Sequence, residues 1–93
     1  MIFKVRDIER ALPSKGFERA VRGHIYFMFQ YKGKDCGVST HVSHGSKEVG
    51  DSLIGQMAKQ LRLSKANFVD LVECPMGHDE YVAELKRQAL LPS

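Results

Sequence analysis

Apolar and polar residues alternate most cleanly between Gly23 and Tyr31. Ile25, Phe27, Phe29 and Tyr31 take one set of alternate positions, and His24, Tyr26, Met28 and Gln30 take the other. Successive side chains of a strand point to opposite faces. The run is rich in aromatic residues and free of proline or interior glycine. It therefore predicts a strand with one core face and one mixed, open face that begins at His24. Before it, Val5, Ile8, Ala11 and Leu12 fall at helical spacing, which predicts a helix over 5–15 that ends near Pro13, with Gly16 just past its C-terminus. Phe17 to Val21 reads as a first strand, with Arg22-Gly23 as its turn. Glycine permits backbone angles that other residues avoid, so Gly23 sets the entry angle of His24.

After the central strand, Lys32 to Asp35 reads as a hairpin loop and Cys36 to Val42 as a third strand. Val38 and Val42 belong to its core face. The natural hairpin register puts Ser39 and His41 on the same open face as His24. Ser43 to Ser46 is a loop, with Ser46 or Gly45 as a helix cap. Val49, Leu53, Met57 and Leu61 recur every four residues, widened by Ile54 and Ala58, and predict a helix over 47–61 whose stripe is core. Gly50 and Gly55 weaken it by roughly 1 kcal/mol each relative to Ala, unless Gly55 serves a close approach to the sheet. Ser64 caps a short helix over 65–72 that buries Phe68, Val69 and Val72. Cys74 to His78 is a break, and Asp79 caps a last helix running to about Leu90, apolar along Tyr81, Val82 and Leu85.

The order α-β-β-β-α followed by helices predicts an α+β fold: a three-stranded antiparallel sheet with helices on one face, plus one or two C-terminal helices. Residues 1–63 form the core unit, and residues 64–93 form a helical extension packed on the same single domain. A chain of 93 residues suits one domain, large enough to bury roughly two thirds of its unfolded surface. No apolar run approaches the roughly 20 residues of a membrane-spanning helix, and the N-terminal stretch lacks the pattern of a signal peptide. A cytoplasmic protein without a membrane partner is expected, with Cys36 and Cys74 reduced rather than bridged.

Charge changes the picture. Residues 1–34 carry eight lysines and arginines against three acids, whereas residues 73–93 carry two against four. A basic first third with an acidic tail fits an anionic partner such as nucleic acid, and equally a solvated basic surface.

The predicted element order is that of double-stranded-RNA-binding domains. Val5-Arg-Asp-Ile-Glu-Arg-Ala-Leu, then Lys15-Gly16-Phe17, then Gly23-His24-Ile25-Tyr26 resembles the opening of the HicA toxin family. Val38 to His44 resembles the family's third strand and His loop. Ser52 to Ser64, ending Gln-Leu-Arg-Leu-Ser, resembles its closing helix. Here Gly23 abuts His24 where the family usually carries a serine between them, the third-strand proline is absent, and residues 79–90 extend beyond the usual domain. The resemblance covers about residues 4–68. It implies a dsRBD-like fold, toxin activity as an mRNA-cleaving endoribonuclease, a HicB-like antitoxin as partner, and His24 as the catalytic histidine.

The chemistry of the residues is compatible with that implication. RNA cleavage can use the 2′-hydroxyl as nucleophile, with an imidazole taking or giving its proton, while cations hold the phosphate. Arg22, Lys32 and Lys34, at the ends of one hairpin, are the phosphate candidates. Gly23, His41 and His44 join them as RNA-binding positions, His44 because a loop histidine before a helix N-terminus can sit beside an anion. Tyr26 either stacks on a base or packs under the last helix. His24 as a plain strand-edge residue is the bland alternative. So are a non-catalytic RNA-binding module on the same fold, and a protein-interaction domain that docks through its acidic last helix. Cys36, His41, His44, Cys74 and His78 do not repeat the paired spacing of structural zinc sites, so neither metal nor cofactor is expected. The free protein is expected to be a monomer or weak homodimer.

Overall fold

The computed structural model describes residues 2–73 and 76–91. The elements run β1 (Phe3–Lys4), α1 (Val5–Ser14), β2 (Phe17–Arg22), β3 (His24–Tyr31), β4 (Lys34–Ser43), β5 (Glu48–Val49), α2 (Asp51–Gln60), α3 (Lys65–Glu73) and α4 (His78–Arg87). The α+β class and the three-stranded antiparallel sheet, ordered β2-β3-β4, are as the pattern predicts. No helix among the described residues is long and apolar enough to cross a membrane.

The sheet's apolar face carries the core. Phe27 and Phe29 are fully buried, and Ile25, Val38 and Val42 nearly so. One cluster runs from Phe3 to Leu91 and takes side chains from every helix. Tyr81 of α4 stacks on Phe17 at 5.5 Å and meets Phe29 edge-on at 4.8 Å. Its hydroxyl donates to the Leu61 carbonyl at 2.9 Å, so the last helix locks the end of α2 and lies on the apolar side of the sheet. Gly16 needs to be glycine twice over: its φ is +100°, and a Cβ there would come within 2.7 Å of the His78 ring. Buried Thr40 donates to Gln60 at 2.6 Å, which ties α2 to β4.

Five expectations are corrected. The helix predicted over 47–61 begins only at Asp51, because Glu48 and Val49 pair with Lys4 and Phe3 as a small second sheet and Val5 N–H donates to the Lys47 carbonyl. Gly50, extended at φ −86° and ψ 178°, is the N-cap in place of Gly45 or Ser46. The four-residue stripe is only partly core: Leu53 is 48% exposed, while Ile54, Met57, Ala58 and Leu61 are buried. Gly55 makes no close approach, since a Cβ there would meet nothing within 4 Å. The hairpin loop is shorter than Lys32 to Asp35. Lys32 and Gly33 both take positive φ, 52° and 77°, the geometry of a two-residue turn that matches strand twist.

α4 starts at His78, one residue before its predicted cap. Gly77 is the N-cap, its N–H donating to the Glu80 carboxylate at 3.0 Å. Ser64 does cap α3, accepting from Asn67 N–H at 3.1 Å. α3 buries Phe68, Leu71 and Val72, with Val69 half-buried. Of the break predicted between the last two helices, Cys74 and Pro75 lie outside the described residues.

Candidate functional site: the open face of the sheet

Antiparallel pairing places directly opposed residues on the same face. Arg22, His24 and Ser43 form one row across the three strands, Ala20, Tyr26 and His41 the next, and Glu18, Met28 and Ser39 the third. All are exposed or half-buried, and no described helix covers them. Gly23 alone joins Arg22 to His24, at φ +78°. That left-handed conformation is open to glycine without penalty, and it turns the chain sharply enough for Arg22 and His24 to pair.

Within this grid three rings meet. The His24 and His41 centroids are 5.3 Å apart, Tyr26 and His41 5.4 Å, and His24 and Tyr26 6.2 Å. The two histidines are diagonal neighbours, within reach across an antiparallel pair. Among the described residues neither imidazole has a hydrogen-bond partner in the protein. Tyr26 faces away from α4, so its packing under the last helix is ruled out. Ala20, the smallest residue of the grid, leaves a shallow groove beside Tyr26 that Arg22, Met28 and Ser39 complete.

A second groove, of about 540 Å³, runs from His41 and Ser39 off the β4 edge to Gln56, Lys59 and Arg62. Lys59 lies in the last turn of α2 and Arg62 just past it. Arg62 has φ 63°. Its N–H bonds the Lys59 carbonyl, and the next N–H, of Leu63, bonds the Ala58 carbonyl at 2.9 Å. This is a Schellman ending with arginine where glycine is usual. Sequence reading passed over Lys59 and Arg62. The available signal was their position, two cations closing a helix that follows a β-hairpin.

The other predicted residues are spread out. Lys32, in the turn, and Lys34, just after it, lie at the far end of β3 from His24. That strand has eight residues, or roughly 24 Å at 3.4 Å per residue. Lys32 Nζ lies 5.4 Å from the Tyr31 ring centroid. His44 is exposed in the turn after Ser43, the residue opposite His24. β5 separates His44 from the α2 N-terminus, so it does not precede a helix directly. Cys36 packs partly against the core, on the face opposite His41, and burial pushes its thiol pKa up. Among the described residues no three His, Cys, Asp or Glu side chains converge as metal ligands. No family model, no curated protein and no solved structure matches the chain.

Proposed function

We propose that the protein is an endoribonuclease of the HicA-like toxin kind, cleaving mRNA on the open face of its sheet. The observation that carries the proposal is His24: an exposed imidazole with no hydrogen-bond partner among the described residues, beside Arg22 and Tyr26, on a face that no described helix covers. His24 acts as general acid or base on the 2′-hydroxyl chemistry. Arg22 holds the phosphate and offsets its developing charge, and Tyr26 offers a ring on which an unpaired base can stack. A cognate HicB-like antitoxin would cover the same face. The cytosol, where both mRNA and a reducing environment are found, is the compartment this reading requires.

A non-catalytic RNA-binding module is the second reading, favoured by the basic groove at Lys59 and Arg62, which serves binding whether or not cleavage follows. Incubating the purified protein with a mixed mRNA pool in EDTA, beside the His24→Ala variant, separates the two. Cleavage by the wild type alone supports the endoribonuclease. Salt-sensitive binding by both proteins with cleavage by neither leaves the binding module.

A further inference from the structure

We infer that His41 is a second catalytic residue, and that His24 and His41 work as an acid–base pair on one phosphodiester. The inference rests on the endoribonuclease reading and deepens it by adding a proton-transfer group.

Cleavage through the 2′-hydroxyl needs two proton transfers. One imidazole in its neutral form accepts the proton of the 2′-hydroxyl as that oxygen bonds to phosphorus. The P–O5′ bond breaks, and the second group, entering as an imidazolium, gives its proton to O5′. The products are a 2′,3′-cyclic phosphate and a 5′-hydroxyl. The protons balance, and no other reactant is consumed. A lone histidine would leave one of these transfers to water.

The open face supplies the second group. His41 stands diagonal to His24 with ring centroids 5.3 Å apart, and Tyr26 closes the triangle. Both rings are exposed, and among the described residues neither has a hydrogen-bond partner. Their ring nitrogens therefore stand open at the surface to a bound phosphodiester. Their backbone is fixed, because they stand on neighbouring strands in the regularly paired stretch from His24–Ser43 to Met28–Ser39 rather than on loops. Cations flank the pair, as a bound phosphate requires: Arg22 opposite His24, and Lys59 and Arg62 in the groove that opens at His41; Glu18, the acid of the grid, stands opposite Met28, two rows from His24. The strand passing over the pair therefore has a positive group on each side.

The test starts by mapping the bond that the wild type cleaves in an RNA oligonucleotide. The same oligonucleotide is then made with sulfur in place of O5′ at that bond. Sulfur leaves without needing a proton, so it spares the acid but not the base. On ordinary RNA, His24→Gln and His41→Gln should each slow cleavage by about 10²- to 10⁴-fold. The double variant should be little worse than either, as expected of residues acting as one unit. The sulfur substrate should restore one single variant to near the wild-type rate and leave the other slow. Because both side chains are exposed, thermal unfolding should be unchanged, and His41→Asn provides a second replacement. Cleavage by His41→Gln and His41→Asn within about threefold of wild type would overturn the pair while leaving an endoribonuclease centred on His24. Sulfur rescue of both variants, or of neither, overturns it too and makes His41 a positioning residue. Absence of cleavage by the wild type would remove the endoribonuclease reading itself, and the pair with it.

Discussion

Tyr81 does two jobs with one side chain. Its ring fills the centre of the aromatic cluster with Phe17 and Phe29, and its hydroxyl caps the Leu61 carbonyl at the end of α2. Tyr81→Phe keeps the first and removes the second, so it should cost about 1 kcal/mol, the usual net worth of a hydrogen bond, read as a lower urea midpoint. Burial raises the Tyr81 pKa well above the ordinary value for a tyrosine. The folded state therefore keeps a proton that the unfolded chain gives up, and the stability tied to this group is intact below the unfolded pKa of about 10 and lost as pH rises past it. The gap in melting temperature between wild type and Tyr81→Phe should accordingly narrow between about pH 9 and pH 11. An unchanged gap would mean that the hydroxyl ionises as readily folded as unfolded. The apolar role of Tyr81 is readable from its spacing with Leu85. The partner of its hydroxyl, 20 residues back on another element, leaves no trace in local pattern.

At the scale of elements, the sheet was far more legible than the helix that follows it. Two-residue alternation from Ile25 to Tyr31 and from Val38 to Val42 assigns each residue to a face independently of its neighbours, and the burial follows it. In the stretch 47–61 the repeat of four at Val49, Leu53, Met57 and Leu61 suggested one continuous helix. Val49 is buried for a different reason: it pairs with Phe3, 46 residues earlier in the chain, a contact that no local pattern encodes. Removing it from the stripe rotates the helix, and Ile54 rather than Leu53 faces the core. Two substitutions test the phase. Ile54→Ala should cost about 2–5 kcal/mol, whereas Leu53→Ala should stay within about 0.5 kcal/mol. Equal losses in chemical denaturation would restore the longer helix. The end of α4 was misplaced for a related reason. Ala89 takes the left-handed position at φ 60°, where a glycine would have announced the stop, and the Leu90 and Ala89 N–H groups close onto the Leu85 and Lys86 carbonyls.

For the whole molecule, what matters is that every helix packs to one side, leaving a sheet face with a polarity along its strands. The histidines and Arg22 stand at one end of β3, and Lys32 and Lys34 at the other, about 24 Å away at strand rise. The charge excess of residues 1–34 fits an anionic partner and equally a solvated surface, and composition does not say which part of such a partner each cation would serve. If RNA lies along the face, a short oligonucleotide held at the histidine end cannot reach the hairpin turn, while a longer one can. Lys32→Ala/Lys34→Ala should then bind an oligonucleotide of about four nucleotides as the wild type does, and lose affinity for one of about sixteen, the upper range for a small single-strand site. Its salt dependence should flatten only for the longer RNA, because each lost phosphate contact removes about 0.7 from the slope of log K against log salt. Lys59→Ala/Arg62→Ala should weaken both lengths, since that groove opens directly at His41. Fluorescence anisotropy across a salt series reads both variants. Equal loss at both lengths for the hairpin lysines would mean that the RNA crosses the strands instead of following them.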